Sequence, residues 1–215
     1  MSTMSFDVAS PIAYPGTYAP GTAWDLYNQL IAGIPEDVEV RDYCLGLNWS
    51  YVEADCGMGV AFTTRGGGPK DAFQAYRGEI AARDGANVVV VVGHFPHVTD
   101  IAEYANLTVL ERNCRDGLDT PDPACEFVLP QADFAFITGV TFINKTAPRL
   151  LALSRDALTV MVGPSVVMSP QLFGYGVHEL AGSVVADPER ARFAVMNGAG
   201  PLFGEALTMA SLKVK

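Results

Sequence analysis

The sequence predicts an α/β fold in which a parallel sheet flanked by helices follows a smaller antiparallel meander. Five consecutive valines, Val88 to Val92, form an apolar run without alternation. Such a run is typical of a strand buried on both faces of a parallel sheet. Gly93 ends the run, and strand and helix patterns alternate after it, which predicts a Rossmann-like sheet with right-handed crossovers. Before it, short strand patterns separated by turn-prone residues predict the meander.

The first part of the chain contains the patterns of a helix and of the meander. Apolar residues recur at helical spacing over residues 23–31, and Thr22 is placed to cap this helix. A glycine-rich stretch after Arg65 is either a flexible connection or an anion-binding turn, and a second helix is predicted from Lys70 to Arg83. The meander strands are predicted at Val38–Leu45, Ser50–Ala54 and Met58–Thr63.

The second part of the chain alternates between strands and helices. The pattern after the valine strand predicts a helix from Val98 to Tyr104, capped by Thr99 or Asp100, and then a polar loop from Arg112 to Pro123. Near the end of the chain, Asp187-Pro188 combines a helix cap with a first-turn proline. The other strands are predicted at residues 107–110, 133–138, 158–162 and 177–186. The other helices are predicted at residues 124–129 and 146–154, and a further short helix is predicted to begin at Ser169-Pro170.

Composition limits the classes of function. The 215 residues are 49% hydrophobic and 18% charged, as expected for a well-buried globular protein. A net charge of −10 argues against nucleic-acid binding, which needs a basic surface. No apolar run reaches the roughly 20 residues that span a bilayer, and residues 1–20 lack the pattern of a signal peptide. The four cysteines form no CxxC pair, so we expect free thiols and a cytoplasmic protein.

The carboxyl ends of the first two parallel strands carry the strongest candidate residues. Ligands of such sheets bind at this edge, where Gly93 and Glu111 are predicted to lie. Glu111 follows Gly93 by 18 residues, which is close to the spacing at which an acid contacts a ribose in dinucleotide-binding folds. It is equally suited to an amine or a metal, or to be a solvated charge. The GxGxxG pattern is absent, which argues against a dinucleotide cradle.

Two of the three histidines, His94 and His97, lie at the same predicted edge. An imidazole there is suited to proton transfer or to metal coordination, although packing is the alternative for either ring. His94, His97 and Glu111 together form a candidate set for a divalent transition metal, to which Cys114 is a further candidate. His178 is expected to be structural.

Small polar residues follow the later strands of the predicted sheet. By default they are helix caps, but their positions also suit contact with a ligand at the strand ends. An exposed Lys145 lies among them. The candidate ligand-binding residues are Gly93, Phe95, Pro96, Thr138, Gly139, Asn144, Thr146, Gly163, Pro164 and Ser165.

Several motifs taken in order resemble the family named for heavy-metal chelation. They are Gly93-His94-Phe95-Pro96, Leu110-Glu111-Arg112, Glu126 to Pro130, Ile137-Thr138-Gly139, Asn144-Lys145-Thr146, Gly163-Pro164-Ser165 and Leu180-Ala181-Gly182. The resemblance is close over residues 88–190 and looser before them. It implies an enolase-N-terminal-like domain joined to a Rossmann-like domain, with a site between them for a siderophore- or pterin-like metabolite.

The resemblance also implies a division of the chain. We expect an arm at residues 1–21, an enolase-N-terminal-like α+β domain at 22–85 and the Rossmann-like domain at 86–215. The family's segment rich in Ser, Trp and Asn is missing before the Rossmann strand, so the first domain looks shortened. Since a shortened domain would expose apolar surface, we expect a homodimer.

Two hypotheses of function follow. In the first, the protein is an enzyme that condenses or hydrolyses a small metal-chelating metabolite, with His94 as general acid or base and Glu111 orienting the substrate. This hypothesis predicts that Glu111→Ala abolishes turnover and leaves the melting temperature nearly unchanged. In the second, the protein binds a transition metal or a metal chelate without turnover. Both predict a small-molecule or metal-chelate partner.

Overall fold

The computed structural model describes residues 24–62, 87–115, 117–198 and 206–214. The predicted N-terminal arm, the Thr22 cap, the glycine-rich stretch after Arg65 and the helix from Lys70 to Arg83 lie outside these ranges. Within them the chain is a mixed α/β protein with two sheets, as the sequence predicts. None of the helices in this described part is long and apolar enough to cross a bilayer.

The smaller sheet is the predicted antiparallel meander. Helix α1 (Asp25–Ala32) precedes it, and its strands are β1 (Val40–Leu45), β2 (Trp49–Ala54) and β3 (Gly57–Phe62), in that spatial order. One face of this sheet is exposed to solvent and the other is buried. On the buried face, Trp49 and Tyr51 of β2 pack against the last described helix and strand of the chain. The meander is therefore attached to the larger sheet through apolar contact.

The larger sheet has seven strands in the described residues and is parallel except at one edge. Its spatial order is β10-β9-β8-β7-β4-β5-β6, and only β10 pairs antiparallel with its neighbour. The chain order reverses around β4, because β5 lies on one side of it and β7 on the other. The strands are β4 (Val88–Val92), β5 (Asn106–Glu111), β6 (Asp119–Pro121), β7 (Phe134–Thr138), β8 (Leu158–Val162), β9 (Val177–Val185) and β10 (Leu207–Lys213).

Burial on both faces of this sheet explains the valine run. Val89, Val90 and Val91 are all 0% exposed, and they alternate between two separate apolar clusters on opposite faces. Phe134 and Phe136 of the neighbouring β7 are equally buried. Burying one such side chain contributes roughly 1.5–3 kcal/mol, so these side chains are a large source of stability for the sheet.

The helices on the larger sheet are short. The α-helices are α2 (Cys125–Val128), α3 (Val140–Ile143), α4 (Ala147–Leu153) and α5 (Pro188–Met196), and the 3₁₀ helices are Val98–Glu103, Asp122–Ala124, Leu129–Gln131 and Pro170–Tyr175. The Asp187 cap is confirmed, since its carboxylate accepts the backbone N–H of Arg190. Pro148 lies in the first turn of α4, where a proline is tolerated.

The secondary structure differs from the prediction at three places. The predicted helix after the valine strand is the 3₁₀ helix Val98–Glu103. Its N-cap residue is His97, which makes no side-chain cap, whereas Thr99 or Asp100 was predicted to cap it. The predicted loop Arg112–Pro123 contains β6, which is only three residues long and therefore leaves no periodic pattern. The edge strand β10 was not predicted, because it is half exposed and mixes polar and apolar residues.

Candidate ligand-binding site

A cavity of about 650 Å³ opens where the order of the strands reverses. In open α/β sheets this is the position at which ligands bind. Phe62, the last described residue of the meander, contributes to its rim. We call two groups of lining residues the β4–β5 wall and the β7 wall. The β4–β5 wall consists of Gly93, His94, Phe95, Glu111, Arg112, Asn113 and Arg115, and the β7 wall consists of Thr138, Val140, Thr141, Ile143, Asn144, Thr146, Arg149 and Leu150.

Glu111 ends β5 and ties two loops of the β4–β5 wall together. One carboxylate oxygen accepts the backbone N–H of His94 at 3.0 Å, and the other accepts the backbone N–H of Asn113, also at 3.0 Å. Both oxygens are thus engaged by the protein itself. This geometry corrects the expectation that Glu111→Ala would leave the melting temperature nearly unchanged, because that substitution removes two charge-assisted hydrogen bonds.

His94 is held a second time, through its ring. Nδ1 lies 2.6 Å from Oδ1 of Asp119, and the other carboxylate oxygen of Asp119 accepts the backbone N–H of Arg115 at 2.8 Å. The Asp119 side chain is fully buried, whereas that of His94 is 31% exposed and lines the cavity. His94 and Asp119 therefore form a dyad whose imidazole borders the cavity.

Sequence reasoning missed Asp119. The residue belongs to an Asp- and Pro-rich stretch in which several acids have similar surroundings in the sequence. What distinguishes Asp119 is its position at the start of β6, directly beside Val109 of β5 in the sheet. A three-residue strand gave no signal from which that neighbour could be inferred.

The arginines at the cavity differ in their partners. Nε of Arg112 donates to Asp122 at 2.9 Å, and Arg149 pairs with Glu126. The hydrogen bond from Arg149 lowers the pKa of Glu126 and holds it as a carboxylate. No carboxylate among the described residues pairs with the guanidinium of Arg115, and the hydrogen bond from Arg115 to Asp119 is made by its backbone N–H. Arg115 is thus available to an anionic ligand.

The polar groups of the β7 wall are engaged locally. The Thr138 hydroxyl accepts the backbone N–H of Val140, and the Thr141 hydroxyl donates to the carbonyl of Thr138. The amide oxygen of Asn144 accepts both the backbone N–H and the hydroxyl of Thr146. These are the turn and capping contacts that such residues make by default. Apart from Arg149, the wall therefore offers the cavity Val140, Ile143 and Leu150 as apolar side chains and no free capping group.

The structure brings only some of the predicted site residues together. Those that line the cavity are Gly93, His94, Phe95, Glu111, Thr138, Asn144 and Thr146, and those that do not are Pro96, His97, Gly139, Gly163, Pro164 and Ser165. Gly139 is required by close packing, because a Cβ there would lie 2.3 Å from the backbone nitrogen of Val166. Ser165 accepts the backbone N–H of Phe62 at 3.0 Å and so fastens the meander to the end of the larger sheet.

The predicted metal set is not assembled. His97 adopts a left-handed backbone conformation (φ 63°) ahead of the 3₁₀ helix, and its half-exposed ring faces Asp100 rather than the cavity. The exposed Cys114 donates to the carbonyl of Glu111. Over the described ranges, no three His, Cys, Asp or Glu side chains are grouped so that they could hold a metal ion. His94, His97 and Glu111 therefore do not form one coordination site.

Cys125 also lines the cavity, between the loop after β6 and helix α4. Burial raises the pKa of its thiol, and the nearby carboxylates of Glu126 and Asp122 raise it further. The thiolate is the form that binds soft metals and attacks electrophiles. The surroundings of Cys125 therefore favour a neutral, unreactive thiol.

Comparison with known proteins supports the fold and gives a family. A protein of unknown function from the DUF364 family of Desulfitobacterium hafniense DCB-2 is 28% identical and superposes with a TM-score of 0.76 over 89% of this chain and 98% of that chain. A DUF364 protein of unknown function from Pyrococcus horikoshii is 20% identical, with a TM-score of 0.68 over 83% and 94% of the two chains, and shows the fold alone.

An uncharacterized protein of Methanocaldococcus jannaschii is 30% identical over 118 residues. That match covers 51% of this chain and 45% of the curated relative, so it spans less than half of the relative's length. Two family models match the chain, and both are described as "Putative heavy-metal chelation": DUF4213 over residues 27–113 and DUF364 over residues 79–210. Since the DUF364 match extends over more than half of the 215 residues, the chain belongs to the DUF364 family.

Proposed function

We propose that the cavity binds a small, anionic, metal-chelating metabolite of siderophore- or pterin-like chemistry, and that the protein processes this metabolite. In this proposal the site lies between a meander domain (residues 22–85) and a Rossmann-like domain (86–215). The single observation that carries it is the lining of the cavity, which combines the imidazole of the His94–Asp119 dyad, apolar side chains of the β7 wall and an Arg115 guanidinium that pairs with no carboxylate among the described residues.

The size of the cavity suits a molecule rather than an ion. Pockets for small ligands typically enclose about 300–1,000 Å³, and this one encloses about 650 Å³. Its two walls also differ in chemistry. Val140, Ile143 and Leu150 present apolar surface, against which a planar ring can pack, while the β4–β5 wall presents donors.

Charge indicates which end of the ligand faces which wall. The whole protein carries a net charge of −10, so a cation that pairs with no carboxylate in the described part of the chain is a specific local feature of the cavity and not part of a basic surface. A guanidinium binds carboxylates in a two-pronged geometry. We therefore expect the ligand's carboxylate at Arg115 and its ring at the β7 wall.

The described residues of this chain form no three-residue metal site, although the family is described as "Putative heavy-metal chelation". Binding of a preformed metal chelate would account for both facts. In such a complex the organic molecule supplies most of the metal ligands. The protein then needs to recognise only the shape and charge of the complex. Direct binding of a bare transition metal, the alternative function, has less support because His97 faces away from the cavity and the Cys125 thiol is kept neutral. The homodimer stays a prediction.

Thermal unfolding with three classes of additive tests the proposal. The first class is Zn²⁺, Ni²⁺ or Fe³⁺ alone, the second is 2,3-dihydroxybenzoate or pterin-6-carboxylate alone, and the third is each organic acid with the metal. We expect the organic acids, alone or complexed, to raise the melting temperature. A ligand present at 100 times its Kd contributes about 2.7 kcal/mol.

The matched control is Arg155→Gln, which removes an exposed arginine remote from the cavity lining. It should leave these shifts unchanged, whereas Arg115→Gln should reduce them. A stoichiometric rise with a bare metal and none with either acid would contradict the proposal.

A further inference from the structure

We infer that Asp119 fixes the tautomer of His94 so that Nε2 faces the cavity without a proton and accepts the hydroxyl proton of the bound chelator. The inference deepens the proposed function and rests on it for the identity of the ligand. It assigns His94 as the proton acceptor and Asp119 as a positioning residue, a role that the sequence did not indicate.

The tautomer follows from the contact between the two side chains. An ionised carboxylate only accepts hydrogen bonds, so the 2.6 Å contact between Nδ1 of His94 and Oδ1 of Asp119 places the ring proton on Nδ1. A neutral imidazole then has a lone pair on Nε2. Since the ring is 31% exposed and borders the cavity, the edge that carries Nε2 is the one left for a ligand.

The orientation of the ring is fixed from two directions. Glu111 holds the backbone N–H of His94, and Asp119 holds its ring. Asp119 also accepts the backbone N–H of Arg115, so the proton acceptor and the anion-binding guanidinium belong to loops that share one buried carboxylate. The His94 ring and the backbone of Arg115 are therefore held in place before any ligand arrives, and a preset ring is the condition for efficient proton transfer.

The proton transfer balances within the site. The O–H bond of the ligand breaks, its proton forms an N–H bond at Nε2, and the electron pair stays on the ligand oxygen. The imidazolium that forms is stabilised by the buried Asp119 carboxylate, and Arg115 compensates the negative charge of the ligand. Oxygen donors bind hard metals in their deprotonated form, so this transfer converts a hydroxyl chelator into its metal-binding state.

Nuclear magnetic resonance of the imidazole nitrogens tests the inference without a ligand. The chain has only three histidines, so long-range proton–nitrogen spectra of ¹⁵N-histidine-labelled protein are simple to assign. In alkaline buffer we expect His94 as the Nδ1–H tautomer. His178 is an internal reference of opposite tautomer, because its Nδ1 accepts the backbone N–H of Thr159 at 3.1 Å.

Asp119→Asn should shift His94 toward the Nε2–H tautomer, because an amide can donate to Nδ1. The matched control is Asp100→Asn, which changes the acid beside His97 at 3.9 Å and should leave the His94 signals unaltered. An Nε2–H tautomer of His94 in the unmodified protein overturns the inference, whether or not the Asp119 variant folds.

The absorbance of 2,3-dihydroxybenzoate supplies the second readout. On binding to the unmodified protein, its spectrum should change to that of the phenolate, and on binding to His94→Gln it should not. Binding without the phenolate spectrum would overturn proton transfer and leave the proposed function standing. Failure of this acid and of pterin-6-carboxylate to bind, with the Nδ1–H tautomer observed, would instead count against the proposed ligand class alone.

Discussion

The two walls of the cavity are built in opposite ways. The β4–β5 wall is held by two carboxylates on neighbouring strands, since Glu111 of β5 and Asp119 of β6 accept three backbone N–H groups and contact one imidazole ring. In the β7 wall, hydroxyl and amide groups bond only to their own turn, and the surface left over is largely apolar. The first wall fixes the position of charges, and the second provides a surface against which a ring can pack.

This difference shows where stability and function are coupled. Carboxylates that tie loops together cannot be removed without loosening the residues they hold, so substitution of Glu111 or Asp119 should affect folding and binding together. Ile143 of the β7 wall is 40% exposed and is not part of the buried core clusters. Its substitution should change affinity alone.

The largest effect is expected from Glu111→Ala. The variant loses two charge-assisted hydrogen bonds of a half-exposed carboxylate, which together contribute about 2 kcal/mol after allowance for solvent. For a protein of this size the melting temperature should fall by roughly 4–8 °C. Calorimetry beside Glu36→Ala, an exposed acid in a turn, isolates the effect. An unchanged melting temperature would mean that the β4–β5 wall does not depend on this carboxylate.

Arg115→Gln should come next, and it should separate binding from folding. A charge-assisted hydrogen bond between a guanidinium and a carboxylate contributes about 1.5–3 kcal/mol, so affinity for pterin-6-carboxylate should fall about tenfold to a hundredfold. The free energy of unfolding of the free protein should change by no more than about 0.5 kcal/mol, as for most surface substitutions, so its melting temperature should stay nearly unchanged. Titration calorimetry measures the first quantity. Equal affinity in Arg115→Gln and Arg155→Gln would remove Arg115 from the site.

Ile143→Ser examines the β7 wall. Ile143 is 40% exposed and lines the cavity, so a bound ring would cover it. Losing roughly 40 Å² of apolar contact costs about 1 kcal/mol, which corresponds to about fivefold weaker binding. Ile34→Ser, at an exposed position in the turn after α1, is the control. If both substitutions leave affinity unchanged, the ligand does not pack on the β7 wall.

The smallest effect is expected from Glu126→Gln. Arg149 lowers the pKa of Glu126, so the pair stabilises the fold above the ordinary glutamate pKa, about 4.3, and this contribution is lost as the pH falls through the lowered value. Both side chains are exposed, so the difference in melting temperature should be small at neutral pH and vanish in acid. A difference that grows in acid would contradict this account.

The sequence alone predicted the scaffold well. The valine strand, the alternation of strands and helices after it and the meander could all be predicted. A strand buried on both faces has a continuous apolar run, and a strand buried on one face has an alternating pattern. It also placed His94 and Glu111 at the correct edge of the sheet. These features belong to single strands, so each can be predicted from a short run of consecutive residues.

What the sequence did not reveal depends on contacts between distant segments. Asp119 reaches His94 across 25 positions through a strand of three residues. His97 was grouped with His94 by proximity in sequence, but its left-handed backbone conformation turns it into the following 3₁₀ helix. The candidate metal set was therefore predicted from sequence spacing, and the local backbone conformation keeps His97 apart from the other two residues.

Native mass spectrometry of the protein, purified without a metal-affinity step, tests the central claim most directly. The account predicts a co-purifying organic mass of a few hundred daltons that Arg115→Gln loses and Arg155→Gln retains. A metal-sized increment with no organic component, removed by a chelator and unaffected by Arg115→Gln, would contradict it.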